Sequence, residues 1–102
     1  GKIRSEDQPK IEFAIERAQR PRSIVYITGY SDYRGSFEEN QALALKRAEK
    51  VKALIFAEEI ADEVTAEVKT RGDTLSKKRP GKETQEQLSR AQRVVVEVYH
   101  LR

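Results

Sequence analysis

Two charged residues stand out for chemistry: Asp32, in the polar stretch Gly29-Tyr30-Ser31-Asp32-Tyr33-Arg34-Gly35, and Arg47, fifteen residues later in a helical segment. A strand, a loop and a helix bring these opposite charges near one another. Such a pair has two uses. It ties a loop to a helix as an ion pair, or it presents a carboxylate and a guanidinium to a ligand. Arg suits the second use because its planar donors grip a carboxylate with two parallel hydrogen bonds. Catalytic groupings are hard to assemble from the remaining residues. His100 is the only histidine and cysteine is absent, so no His-based triad, thiolate site or disulfide framework can be built. His100 itself reads as a surface residue near the C-terminus. Glu38-Glu39 and Glu58-Glu59 are adjacent pairs, and neighbours on a helix do not face each other. Arg71-Gly72-Asp73 spells an adhesion tripeptide, but three residues carry almost no specificity.

The elements that must position Asp32 and Arg47 are well signalled. Ile24 to Thr28 is a run of apolar and β-branched residues, apolar on both faces, and so reads as a central strand. Ser36 with Glu39 has capping-box spacing and predicts a helix start. Ala44, Ala48, Val51 and Ile55 then recur along one helical stripe. Asn40, Leu43, Arg47 and Leu54 fall on one flank of it, while Lys46, Glu49 and Ala53 face away. Arg47 therefore sits at the border of the buried face. Lys46 and Lys50 read as solvated charges, and Leu43 reads either as core or as part of a site.

Elsewhere, residues 1–8 form a polar lead-in with few apolar anchors. Pro9 suits the first position of a helix, and Ile11, Ala14, Ile15 and Ala18 give it an apolar face. Arg20-Pro21-Arg22 is expected to end that helix. Phe56 and Ile60 are placed to seal the sheet after the long helix. Val64 to Thr70 alternates as a half-exposed strand, and Gly72 to Lys82 reads as a long basic loop. Glu83 to Gln92 is expected to be a short polar helix. Arg93 to Leu101 is the last strand, with Val94, Val96 and Val98 on one face and Val95 and Tyr99 on the other. Helices alternating with strands predict helices packed on a sheet. No internal repeat is visible.

The stretch from Gly29 to Val51 resembles the signature of the OmpA-like peptidoglycan-binding family, roughly G-H-T-D-x-x-G followed by N-x-x-L-S-x-x-R-A-x-x-V. The chain matches it at Gly29, Asp32, Gly35, Asn40, Leu43, Arg47, Ala48 and Val51. It departs at Tyr30, Ser31 and Ala44. Gln92-Arg93-Val94 keeps one Arg of the pair that usually opens the last strand. The resemblance implies an α+β sandwich, with helices over one face of a mixed sheet and an OmpA-like domain over residues 9–102. The first family strand is missing, or reduced to a remnant around residues 2–4. It also implies a non-catalytic function: binding the stem peptide of uncrosslinked peptidoglycan through its diaminopimelate residue. On that reading Asp32 receives the ligand ammonium and Arg47 its carboxylate. Asn40 orients the loop or donates to the peptide, and Leu43 with Ala44 forms a small apolar wall. No cofactor is called for. The implied setting is the bacterial periplasm, with the domain anchoring a larger envelope or motor protein to the wall.

Length and composition fit this frame. The chain has 102 residues, suited to one domain, with 37% hydrophobic and 36% charged residues. The core must be modest and the surface densely charged. No run approaches the roughly 18 apolar residues of a membrane span. No signal peptide opens the chain, so a leader is expected to have been removed or the domain excised. The net charge of +3 is mild for a dedicated nucleic-acid binder. A nucleic-acid module using Lys77, Lys78, Arg79 and Lys82 with Tyr26, Tyr30 and Tyr33 is the alternative in a different class. A third reading is an OmpA-like scaffold that has lost wall binding.

Overall fold

Parallel neighbours in a sheet need a crossover, and the long amphipathic segment supplies it. The computed structural model describes residues 5–31, 37–72 and 93–101. Helix α1 spans Gln8–Arg17, strand β1 Ser23–Ser31, helix α2 Phe37–Phe56, strand β2 Thr65–Gly72 and strand β3 Val94–His100. The sheet order is β2-β1-β3. β1 runs parallel to β2, with Ile24 opposite Thr65 and Ser31 opposite Gly72. It runs antiparallel to β3, with Ser23 opposite His100 and Gly29 opposite Val94. The fold is the expected α+β arrangement of helices against a mixed sheet. Among the described residues no strand precedes α1. The helix expected at 83–92, most of the basic loop, and Ser36 of the capping box lie outside the described residues.

The α2 stripe is buried as its period predicts. Ala44 is 5% exposed, and Ala48, Val51 and Ile55 are fully buried. Ala48, Val51 and Ile55 meet Val25 and Ile27 of β1, Val94 of β3, and Ile11 and Ala14 of α1 in one core. Phe56, Val64, Ala66, Val68, Val96 and Val98 pack around it. Alternation in β2 follows the period-two expectation, with Ala66 and Val68 turned inward and Glu67 and Lys69 exposed.

Three expectations need correction. β1 is central, but only one of its faces is buried: Ser23, Val25, Ile27, Gly29 and Ser31 point to the helices. Ile24, Tyr26, Thr28 and Tyr30 line the other face and are half-exposed. An apolar run alone does not separate a strand covered on both sides from one with an aromatic open face. β1 also continues through Gly29, Tyr30 and Ser31, which read as a turn in the sequence, because both neighbours pair with it there. Finally, α1 stops at Arg17, ahead of Pro21. Ala18 closes the helix by donating its amide to Ala14, and Gln19 Nε2 donates to the Ile15 and Glu59 carbonyls.

Gly29 marks the closest approach of strand to helix. A Cβ there would lie 2.9 Å from the carbonyl carbon of Ala44 and nearer still to its oxygen. Only a residue without a side chain lets β1 and α2 meet at this point. His100 is half-buried instead of freely solvated. The Ser23 hydroxyl donates to the Arg20 carbonyl at 2.6 Å and lies 2.7 Å from His100 Nδ1. With its one proton used on Arg20, the hydroxyl accepts from Nδ1–H.

Candidate functional site

Helix α2 carries four of the five residues expected in the site. Residues 40, 43, 44 and 47 are spaced i, i+3, i+4, i+7 and share one side of the helix. Asn40 is half-buried, and Leu43 leaves 64% of its surface exposed, so it is not a core residue. Ala44 is nearly covered, with its backbone against Gly29, so its small size serves the packing of strand on helix. The Arg47 side chain is 17% exposed. Asp32 lies outside the described residues. Ser31, the last described residue before it, is held by Gln41, whose Nε2 donates to Ser31 Oγ at 3.2 Å.

Arg47 is gripped by two carboxylates from the start of the chain. Its Nε donates to Asp7 Oδ2 and its Nη2 to Glu6 Oε1, each at 3.3 Å. Asp7 is fully buried, whereas the Glu6 side chain is 52% exposed. Lys10 Nζ lies 3.5 Å from Asp7 Oδ1 and donates to the Val94 carbonyl at 2.6 Å. One cluster thus links the lead-in, α1, α2 and β3. Burying Asp7 is tolerable only because it is paired.

Sequence reasoning missed Glu6, Asp7 and Lys10. Asp7 two residues before Pro9 is a helix-start signal, since Asp favours the N-cap and Pro the first turn. That signal predicts a capping carboxylate at the surface. Nothing local announces an arginine forty residues later as its partner.

The open face of the sheet presents a second surface. Tyr26, Thr28, Tyr30, Lys69, Arg71, Glu97 and Tyr99 line a groove of about 480 Å³. Tyr26 and Tyr99 meet edge to face, centroids 5.5 Å apart at 77°. Lys69 Nζ sits 5.7 Å from the Tyr26 ring and the Arg93 guanidinium 4.1 Å from the Tyr30 ring. The Tyr99 hydroxyl donates to Glu97 at 2.9 Å, and that bond and the Glu97 charge raise its pKa above the ordinary tyrosine value. These rings are engaged with one another and with the chain's own cations, unlike a platform of rings awaiting bases. Tyr33 and Lys77 to Lys82 lie outside the described residues.

The family model of the OmpA family matches residues 2–93. Among curated proteins none matches the chain by sequence. Among solved structures, the C-terminal domain of Helicobacter pylori MotB superposes with a TM-score of 0.69 at 20% identity. The match covers 96% of this chain and 75% of that one. At that identity the likeness speaks for the fold, and the fold is the one the Gly29–Val51 signature implies. With nine-tenths of its length matched, the chain is a member of the OmpA family.

Proposed function

We propose that this domain binds peptidoglycan without catalysis, and that it recognises the diaminopimelate-bearing stem peptide of uncrosslinked wall. The observation that carries the reading is the setting of Arg47: a guanidinium held at the rim of the core, on the side of α2 that also carries Asn40, Leu43 and Ala44. A partly desolvated guanidinium of fixed orientation suits recognition of a carboxylate, because little ordering remains when the ligand arrives. Asp32 takes the ligand ammonium and Arg47 its carboxylate. Asn40 steadies the loop, exposed Leu43 offers apolar contact, and Ala44 lets β1 come close. No bond is broken in this scheme. The setting that goes with it is the bacterial periplasm, where the domain fastens a larger envelope or motor protein to the wall. Neither a nucleic acid nor a cofactor enters the reading. Among the described residues, no helix is long and apolar enough to cross a membrane.

One observation favours a second reading. Arg47 is already paired with Glu6 and Asp7, as expected if the cluster serves only to join α1 to α2 in a scaffold that no longer binds the wall. Co-sedimentation with purified peptidoglycan separates the two. Wild type should pellet with the wall and Asp32→Ala should stay in solution. If neither pellets, the scaffold reading stands. If both pellet equally, the wall is bound elsewhere. Nanomolar, salt-dependent RNA binding would instead favour the nucleic-acid alternative.

A further inference from the structure

We propose that Asp7 is a positioning residue for Arg47, and that Glu6 is an intramolecular stand-in for the ligand carboxylate. The inference rests on the stem-peptide reading and adds how the guanidinium is aimed and guarded. Asp7 stands at the N-cap of α1, where a carboxylate ordinarily accepts from an amide of the first turn. Its side chain makes no capping bond. It is turned inward, fully buried, with one oxygen on Arg47 Nε and the other towards Lys10. A local stabilising contact is thus given up for a distant one. Because Lys10 also donates to Val94, the carboxylate is fixed from β3 as well as from α1. The contact falls on Nε, the nitrogen that joins the guanidinium to its stem, and so sets the plane in which the terminal nitrogens lie.

Glu6 acts differently. Nε and Nη2 lie along one edge of the guanidinium, an edge that a single carboxylate bridges with two parallel bonds. Here two carboxylates divide it, and they are unequal. Asp7 is sealed from water while Glu6 is half in it. An arriving ligand carboxylate would stand beside Glu6 on the same guanidinium, and the two negative charges would repel. Release of Glu6, the half-exposed partner, to solvent relieves that repulsion. Asp7 stays and holds the plane, and the ligand takes the place of Glu6 on Nη2.

The test is titration of the isotope-labelled 102-residue domain with an uncrosslinked diaminopimelate stem peptide, each variant well below its own melting temperature. Asp7→Asn keeps the shape and removes the charge. It should weaken binding about tenfold and shift the Arg47 Nε–H signal. Glu6→Gln should tighten binding about threefold, while Glu49→Gln, on the outward face of α2, should not. If folded Asp7→Asn binds like wild type with an unmoved Nε–H signal, Asp7 is a structural residue and the proposal falls. If Glu6→Gln binds no more tightly than wild type, or no more tightly than Glu49→Gln, Glu6 is no competitor. That arm decides even if Asp7→Asn fails to fold. Wild type that does not bind the peptide at all overturns the stem-peptide reading and this inference with it. Binding by wild type, with weakening by Arg47→Lys but not by Asp7→Asn, removes this inference alone.

Discussion

Replacing Arg47 with Ala should cost more than a binding contact. The sequence places Arg47 at the edge of an apolar stripe, where its loss is expected to spare folding. In the structure it neutralises Asp7, which has no access to water. Removing one partner of a buried ion pair typically costs about 3–5 kcal/mol, because the other charge is left uncompensated. Lys10 remains 3.5 Å from Asp7, so the lower end, about 3 kcal/mol, is expected in a urea melt. The double variant Asp7→Leu/Arg47→Leu should recover much of that loss, since both charges leave together. A melt in which Arg47→Ala matches wild type would mean that the pair carries no stability. Asp32→Asn gives a contrasting expectation. Its effect should fall on stem-peptide affinity, roughly thirtyfold for about 2 kcal/mol, measured by ligand titration.

At the scale of elements, the meeting of β1 with α2 is the most exacting joint. Gly29→Ala would drive a methyl group into the backbone of Ala44, and a backbone cannot rotate aside as a side chain can. Overpacking of this kind typically costs about 1–3 kcal/mol, and a lowered melting temperature with an unchanged denaturant slope is expected. A neutral Gly29→Ala would show that strand and helix sit further apart than described. The elements themselves were largely legible. The stripe Ala44, Ala48, Val51 and Ile55 announces α2 because helical period and burial coincide in it. Alternation announces β2, and Pro9 announces α1. What could not be read is where partners are distant. The end of β1 is set by pairing to β2 and β3, and so Gly29 to Ser31 read as a turn. The open face of β1 looked like core because tyrosines serve equally in cores and on solvent-facing sheets. Of the candidate site, the placing of Asn40, Leu43, Ala44 and Arg47 on one side of α2 is legible through their helical spacing. The anchors Glu6 and Asp7 were not, because contact across forty residues leaves no local pattern.

At the scale of the whole molecule, two surfaces compete for a role: the α2 face with Asn40, Leu43 and Arg47, and the open sheet face with its tyrosines and cations. They predict different responses to charge. Replacing Lys77, Lys78 and Arg79 with Gln should reduce weak, salt-sensitive adsorption to polyanions and leave stem-peptide affinity within a few-fold. Loss of peptide binding in that variant would move the function to the basic segment. The central claim is that a carboxylate and a guanidinium together read a ligand end bearing an ammonium and a carboxylate. The most direct measurement is a paired NMR titration of the wild-type domain with two uncrosslinked stem peptides, one containing diaminopimelate and one containing lysine at the same position. Lysine keeps the ammonium that Asp32 would take and lacks the carboxylate that Arg47 would take. A preference for diaminopimelate of about tenfold or more, with shifts centred on the first half of α2, is the predicted result. Equal affinity for both peptides would contradict it.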